Sequence, residues 1–245
     1  MTRTNELGQL IGEPVPDWQQ CEAPSRSILR GRSCILEPAD PDRHAESLWE
    51  AVKADSEGRL WTYLPYGPFA DFNEYRDWMV ATCLAADPLF LAIVERQSGR
   101  AIGLASYLRI VPQVGVIEVG HLQFSPGLQR TTAATEAMYL MMHRVFEELG
   151  YRRYEWKCDA LNRTSRRAAE RLGFRFEGVF RQATLYKGRS RDTAWYSILD
   201  SEWPALDASF QNWLSPENFD ADGRQIAALS NLHFPARAAE ETLRK

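Results

Sequence analysis

The stretch Gln129-Arg130-Thr131-Thr132-Ala133-Ala134-Thr135-Glu136-Ala137 stands where an extended apolar segment gives way to a long helical pattern. A helix N-terminus leaves about four backbone N–H groups without intrahelical partners and carries roughly half a positive charge, so it can hold a phosphate or pyrophosphate. Gln129 and Arg130 add side-chain donors. The stretch holds no glycine, but residues turning into a right-handed helix have negative φ, which Thr and Ala accept. Read alone, it is either an anion cradle or a solvated helix start capped by Thr131 or Thr132.

Other residues able to do chemistry lie around it. Asp159-Ala160-Leu161-Asn162-Arg163-Thr164-Ser165-Arg166-Arg167 follows the next strand and leads to Leu172-Gly173-Phe174. Glu118 and His121, on the strand before the first loop, offer a carboxylate and an imidazole that could take a proton, orient a substrate or simply hold the strand. Trp61, Tyr63, Tyr66 and Phe69 form an aromatic loop; with Trp156 they could wall a pocket for flat groups, or they pack beneath two N-terminal helices. Arg163, Arg166, Arg167 and Arg171 on one short helix, and the basic turn Lys187-Gly188-Arg189-Ser190-Arg191, could meet anions or form solvated faces. Cys21, Cys34, Cys83 and Cys158 are scattered without metal spacing, so buried reduced thiols and no metal site are expected.

These residues need elements to position them. Ser33 to Pro38 reads as a strand and Asp40 to Lys53 as a helix. A second helix starts at Asp71-Phe72-Asn73-Glu74. Leu89 to Glu95 and Ala101 to Ile110 read as a hairpin about Gln97-Ser98-Gly99-Arg100, and Gly115 to Phe124 as the next strand. Thr132 to Leu149 is the best-defined helix, with Gly150 as its stop. Tyr154 to Asp159, Phe176 to Tyr186 and Thr193 to Leu199 read as strands, and Thr164 to Leu172 as a short helix. The order β-α-α-β-β-β-α-β-α-β-β predicts an α+β fold with a mixed, mainly antiparallel central sheet flanked by helices. It lacks the regular alternation of a doubly wound nucleotide fold, and neither G-x-G-x-x-G nor G-x-x-x-x-G-K-[ST] occurs.

Composition narrows the function classes. The 245 residues carry a net charge of −4, against a general nucleic-acid binder, so no DNA partner is expected. No stretch approaches the roughly 18 apolar residues of a membrane span, and the N-terminus lacks a signal-peptide core; a cytoplasmic protein with no membrane partner is expected. Residues 1–32, rich in Pro and Gly, read as an arm, 33–203 as the domain, and 204–245 as a C-terminal helical extension packed on it. The aromatic loop or that extension could support a homodimer.

The two loops together resemble the GNAT acyltransferases, in particular the branch of RimJ and RimL, the ribosomal-protein N-terminal acetyltransferases. Gln129 to Ala137 falls on that family's Q-x-x-G-x-A-T-E-A acetyl-CoA loop, with Thr132 at the glycine. Asn162-x-x-Ser165 with Leu172-Gly173-Phe174 falls on its N-x-x-S…L-G-F segment, and Glu118-Val119-Gly120-His121-Leu122 resembles its E-I-G-Y-x strand. The resemblance covers residues 33–203. It implies an acetyl-CoA-dependent N-acetyltransferase acting without a metal on a primary amine, by direct attack in a ternary complex. The acceptor is a protein N-terminal α-amine or a related small amine. An aminoacyl-nucleotide or aromatic small-molecule amine is the alternative acceptor, and a non-catalytic acyl-CoA-binding regulatory module the alternative class.

The resemblance also implies roles. Two parallel strands splay apart, so that the backbone of Leu122 and Phe124 faces the pantetheine arm, and N–H groups from Arg130 to Ala134 hold the pyrophosphate. Asn162 bonds the cofactor; beside it one or two of Arg163, Arg166, Arg167 and Arg171 are candidates for its 3′-phosphate, with Arg166 counted among the cofactor-binding residues and the others as a solvated face. Ser165 is the candidate acid for the departing thiolate; many relatives carry a tyrosine seven residues after the asparagine, where this chain has Ala169. Glu118 is the first candidate to relay the amine proton through water, and His121 the second. Trp61, Tyr63, Tyr66 and Trp156 are the candidate acceptor-binding residues. An α-amine with a pKa near ~8 needs little base, whereas a lysine amine near ~10.4 is almost wholly protonated at pH 7.

Overall fold

The computed structural model describes residues 3–233. The arm begins with a small hairpin, β1 (Arg3–Thr4) and β2 (Leu10–Ile11). Then come β3 (Leu29–Arg30), β4 (Cys34–Pro38), α1 (Pro41–Val52), α2 (Phe72–Thr82), β5 (Leu89–Glu95), β6 (Ala101–Val111) and β7 (Val116–Phe124). The second half holds α3 (Thr132–His143), β8 (Arg153–Asp159), α4 (Arg163–Arg171), β9 (Arg175–Tyr186), β10 (Arg189–Leu199), α5 (Trp203–Leu214) and α6 (Leu229–His233).

Local chemistry sets the helix starts. Asp40 caps α1 by accepting from the Asp42 N–H, with Pro41 at the first helical position. Asp71 caps α2 by accepting from the Glu74 N–H, while Glu74 reaches back to the Ala70 N–H at 2.6 Å. Beyond His143 the α3 chain continues as a wider turn, with the Leu149 N–H on the Arg144 carbonyl, and Gly150 at φ +68 closes it.

Eight strands form one sheet in the order β3-β4-β5-β6-β7-β8-β10-β9. Its neighbours are antiparallel except β7 and β8. One face, carrying Tyr107, Tyr154 and Tyr196, packs beneath α3 and α5; the other, carrying Phe90 and Leu104, packs beneath α1 and α2. This is the mixed, mainly antiparallel α+β sheet that the element order predicts.

The site depends on one irregularity. β7 and β8 pair in register from Val116↔Arg153 to Val119↔Trp156 and no further. Beyond that point β7 stays on β6, through Gln123↔Leu104 and Phe124↔Gly103, while β8 stays on β10, through Cys158↔Ala194 and Asp159↔Thr193. The register on β6 shifts between Leu104 and Ser106, so β7 carries an extra residue there, and His121 adopts φ +51. Such a bulge sharpens strand twist and turns β7 away from β8.

Both domain boundaries shift. The sheet begins at Leu29, inside the stretch expected as arm, and the arm is laid on the domain from Trp18, whose ring covers Gly115 and whose Nε1–H donates to the Gln113 carbonyl at 2.9 Å. At the other end a boundary at 204 cuts through α5, whose Phe210 and Trp213 are core residues. Residues 234–245 of the expected extension lie outside the described residues. The four cysteines are buried and unbridged. Among the described residues no helix is long and apolar enough to cross a membrane, and no three His, Cys, Asp or Glu side chains gather as a metal site requires.

Candidate active site

The loop after β7 is built around Ser125, whose carbonyl accepts from the Leu128 and Gln129 N–H groups, both at 3.0 Å. Thr131 is the α3 cap: its hydroxyl donates to the Leu128 carbonyl at 2.7 Å and accepts from the Ala134 N–H at 3.1 Å. The Thr131 N–H also turns inward, to Leu128. Of the stretch from Arg130 to Ala134, the N–H groups of Arg130, Thr132 and Ala133 remain without an acceptor among the described residues; Gly127 adds another. The Ser125 hydroxyl is buried there without a partner. Free donors at a helix start, beside an unsatisfied hydroxyl, fit an anion.

Two expectations about this loop are corrected. Arg130 adopts φ +63, so the chain does not enter the helix through negative φ alone; one left-handed residue is needed, and an arginine supplies it. Gln129 is not a free donor either, because its Nε2–H holds the Phe124 carbonyl at 2.8 Å and ties the loop to the end of β7. Thr132 begins α3 with an unshared N–H, so Thr132→Trp covers the free donors with an indole. The expected result is a loss of acetyl-CoA affinity of at least ten-fold at unchanged Tm, measured by calorimetry; undiminished affinity removes the cradle.

Across the gap, Asn162 caps α4: its Oδ1 accepts from the Ser165 N–H at 3.0 Å, leaving only its NH2 to reach outward. The Ser165 hydroxyl accepts from Trp156 Nε1–H at 3.0 Å, which leaves its own hydrogen to donate. It is within reach of the Cys158 thiol, whose pKa is nonetheless raised, chiefly by burial. Trp156 points to the α3 and α4 face and meets Phe174 at 5.5 Å, so it does not join the aromatic loop in one pocket. Arg166 donates to the Tyr196 hydroxyl at 3.0 Å and lies over Phe176, while Arg171 holds Thr135; Arg163 and Arg167 face solvent.

On the opposite face Glu118 is 3% exposed. Arg109 holds its Oε1 at 2.7 Å and Lys157 its Oε2 at 2.9 Å. Lys157 also meets Glu155 at 2.7 Å and lies over the Trp195 ring at 3.8 Å. Burial raises the Glu118 pKa, and the two cations only partly oppose it. His121 packs on Tyr66 in near-parallel stacking at 5.7 Å and on Phe90 at 5.0 Å. Burial, aided by Arg109, pushes the His121 imidazole down to about 4, so it is neutral at pH 7 but a weak base.

The aromatic loop divides by burial. Trp61, 5% exposed, packs on Tyr66 and Phe69 and against Gly67, so it is a core residue and not a pocket wall. Tyr66 buries its hydroxyl without a partner beside His121. Tyr63 donates to the Leu161 carbonyl at 3.4 Å, reaching the β8–α4 loop. The β9–β10 tip is tied to the same loop: Lys187 donates to the Trp61 carbonyl and Arg189 to the Thr62 carbonyl, each at 2.6 Å. Leu122 and Phe124 lie on the unpaired stretch of β7, half-buried, as the splayed arrangement requires.

Sequence reasoning missed Arg109, Lys157 and Trp195. Lys157 had a signal: with Arg153 and Glu155 it alternates with Tyr154, Trp156 and Cys158, which marks a polar face on a strand buried on its other side.

The acetyltransferase (GNAT) domain pattern matches residues 34–175. A GCN5-related N-acetyltransferase from Brucella melitensis superposes with a TM-score of 0.88 at 45% identity, over 89% of this chain and 99% of that one. A GNAT-family protein from Chromobacterium violaceum gives 0.74 at 39% identity, over 80% and 97%. The curated relative YnaD of Bacillus subtilis, an uncharacterized N-acetyltransferase, is 25% identical over 63% of this chain and 89% of its own length. RimL, a ribosomal α-N-protein acetyltransferase solved with coenzyme A, shares the fold at a TM-score of 0.60 and 20% identity, over 71% and 98%.

Proposed function

This chain is an enzyme of the acetyltransferase (GNAT) family, and from that premise we propose that it transfers acetyl from acetyl-CoA to a primary amine by direct attack in a ternary complex. The parting of β7 and β8 carries the reading: it leaves backbone edges free beside the unshared N–H groups at the start of α3. Acetyl-CoA supplies an activated thioester there. Arg130, Thr132 and Ala133 would hold its pyrophosphate, the Leu122 backbone and the Phe124 N–H would pair with its pantetheine arm, the Phe124 carbonyl being held by Gln129, and the Asn162 amide would donate to it.

Ser165 donates its free hydrogen to the sulfur as the C–S bond breaks, held in position by the Trp156 N–H. Glu118 accepts the proton of the incoming amine through water. It is the stronger candidate than His121, because burial raises its basicity while His121 is pushed down to about 4. The acceptor that suits such modest base assistance is an α-amine, as at a protein N-terminus, in line with the RimJ/RimL-like motifs. No covalent acyl-enzyme is needed, since a raised pKa keeps Cys158 protonated.

Thiol release from acetyl-CoA, followed across a panel of N-terminal peptides and small amines, tests the reading: tight coenzyme binding with no turnover on any amine sinks it. In the same assay Ser165→Ala is expected to lower kcat about ten- to a hundred-fold with little change in acetyl-CoA affinity. Unchanged turnover rules out its acid role.

A further inference from the structure

The basic β9–β10 hairpin has a chemistry that the transfer reaction does not use. It carries Lys187, Arg189 and Arg191, and among the described residues none of them makes an ion pair. Lys187 and Arg189 are held by backbone carbonyls of the aromatic loop. Arg191 is different. Its guanidinium lies over the Tyr186 ring at 5.9 Å, its Nε is shut off from solvent, and it donates to nothing among the described residues.

The nearby carboxylates are committed elsewhere. Asp159 accepts from the Tyr186 hydroxyl at 2.8 Å and from the Leu161 N–H at 2.8 Å. Asp192 accepts from the Gln182 N–H at 2.7 Å. A buried guanidinium N–H without an acceptor is costly, and the planar fork of donors around it matches a carboxylate or phosphate. The location says which ligand brings that anion. Asp159 ends β8 at the open end of the gap, and the hairpin is tied to the loop whose Tyr66 stacks on His121, on the Glu118 side. The anion cradle at the start of α3 follows the other strand.

We propose that Arg191 recognises an anionic group, carboxylate or phosphate, on the acceptor, so that the enzyme prefers amines bearing a negative charge near the nucleophilic nitrogen. The assignment rests on the acetyl-transfer reading of the same cleft. Arg191 acts on specificity and takes no part in the proton transfers.

Peptides with N-terminal Ala-Asp and Ala-Asn are the matched probes, with binding measured by calorimetry in the presence of coenzyme A and turnover by thiol release. The wild type is expected to bind the acidic peptide at least ten-fold more tightly. Arg191→Gln abolishes that preference and raises KM for the acidic peptide about ten-fold, with kcat, Tm and the neutral peptide unaffected; Arg191→Lys restores part of it. An acid preference that survives Arg191→Gln overturns the proposal. So does a variant that loses affinity for coenzyme A but not for dephospho-coenzyme A, since the anion then belongs to the cofactor's 3′-phosphate. An Arg191-dependent acid preference in binding without acetyl transfer upholds it, and sinks the transfer reading alone.

Discussion

Glu118→Gln is expected to lower kcat/KM for an α-amine acceptor about 100-fold at pH 7, the lower end of what a positioned proton acceptor contributes. The amide keeps the shape of the carboxylate between Arg109 and Lys157 but cannot take a proton. Two further signs separate this role from a structural one. Burial raises the Glu118 pKa, so the acidic limb of the wild-type rate profile is shifted upward from the ordinary glutamate value: activity falls as pH drops through the raised pKa, and Glu118→Gln loses this limb. The deficit also shrinks toward pH 9, where an α-amine with a pKa of ~8 is already neutral. A variant equally impaired at pH 7 and pH 9, or one with weakened acetyl-CoA binding, argues for positioning instead.

Glu136→Ala is expected to be strongly destabilising. The Glu136 carboxylate, 5% exposed, accepts from the Arg32 N–H at 2.8 Å, the Ser33 N–H at 2.6 Å and the Cys34 N–H at 3.0 Å. It thereby fastens the first long strand of the sheet to α3, whose start carries the unshared N–H groups. Hydrogen bonds to a charged group contribute about 1.5–3 kcal/mol each, and truncation leaves the donors unsatisfied. A loss of about 4 kcal/mol follows, which for a chain of this size lowers Tm by about 10 °C. Calorimetric melting checks it. A shift below about 3 °C would mean that water replaces the carboxylate and that the staple matters little.

How far the sequence foretold this molecule differs between its levels. Caps and periodicity made the elements legible, because Asp40, Asp71 and Thr131 act within a few residues of themselves. The parting of β7 and β8 came from the resemblance, since pairing between strands separated by a whole helix leaves no local mark. The bulge at His121 and the left-handed Arg130 were not legible: histidine is among the residues that visit positive φ, but nothing local marks which one does, and an arginine there is uncommon. Periodicity also gave a face without naming its partner. Trp61 and Trp156 were both legible as aromatic anchors, yet one packs beneath α1 and α2 and the other on the opposite face of the sheet. Glu118 was found without its cations because Arg109 and Lys157 reach it from neighbouring strands.

The short register between β7 and β8 has a mechanical consequence. The sheet is two plates, β3 to β7 and β8 to β10, joined along a seam that ends at Val119 and Trp156. Past the seam, stiffness comes from spot welds: Glu118 to Lys157 on one edge, and the hairpin cations on the aromatic-loop carbonyls above. On the proposed reading a pantetheine arm in the opening would be the missing strand of the ladder, so the loaded enzyme would be the more rigid and more stable body, and release of coenzyme would loosen it along that same line.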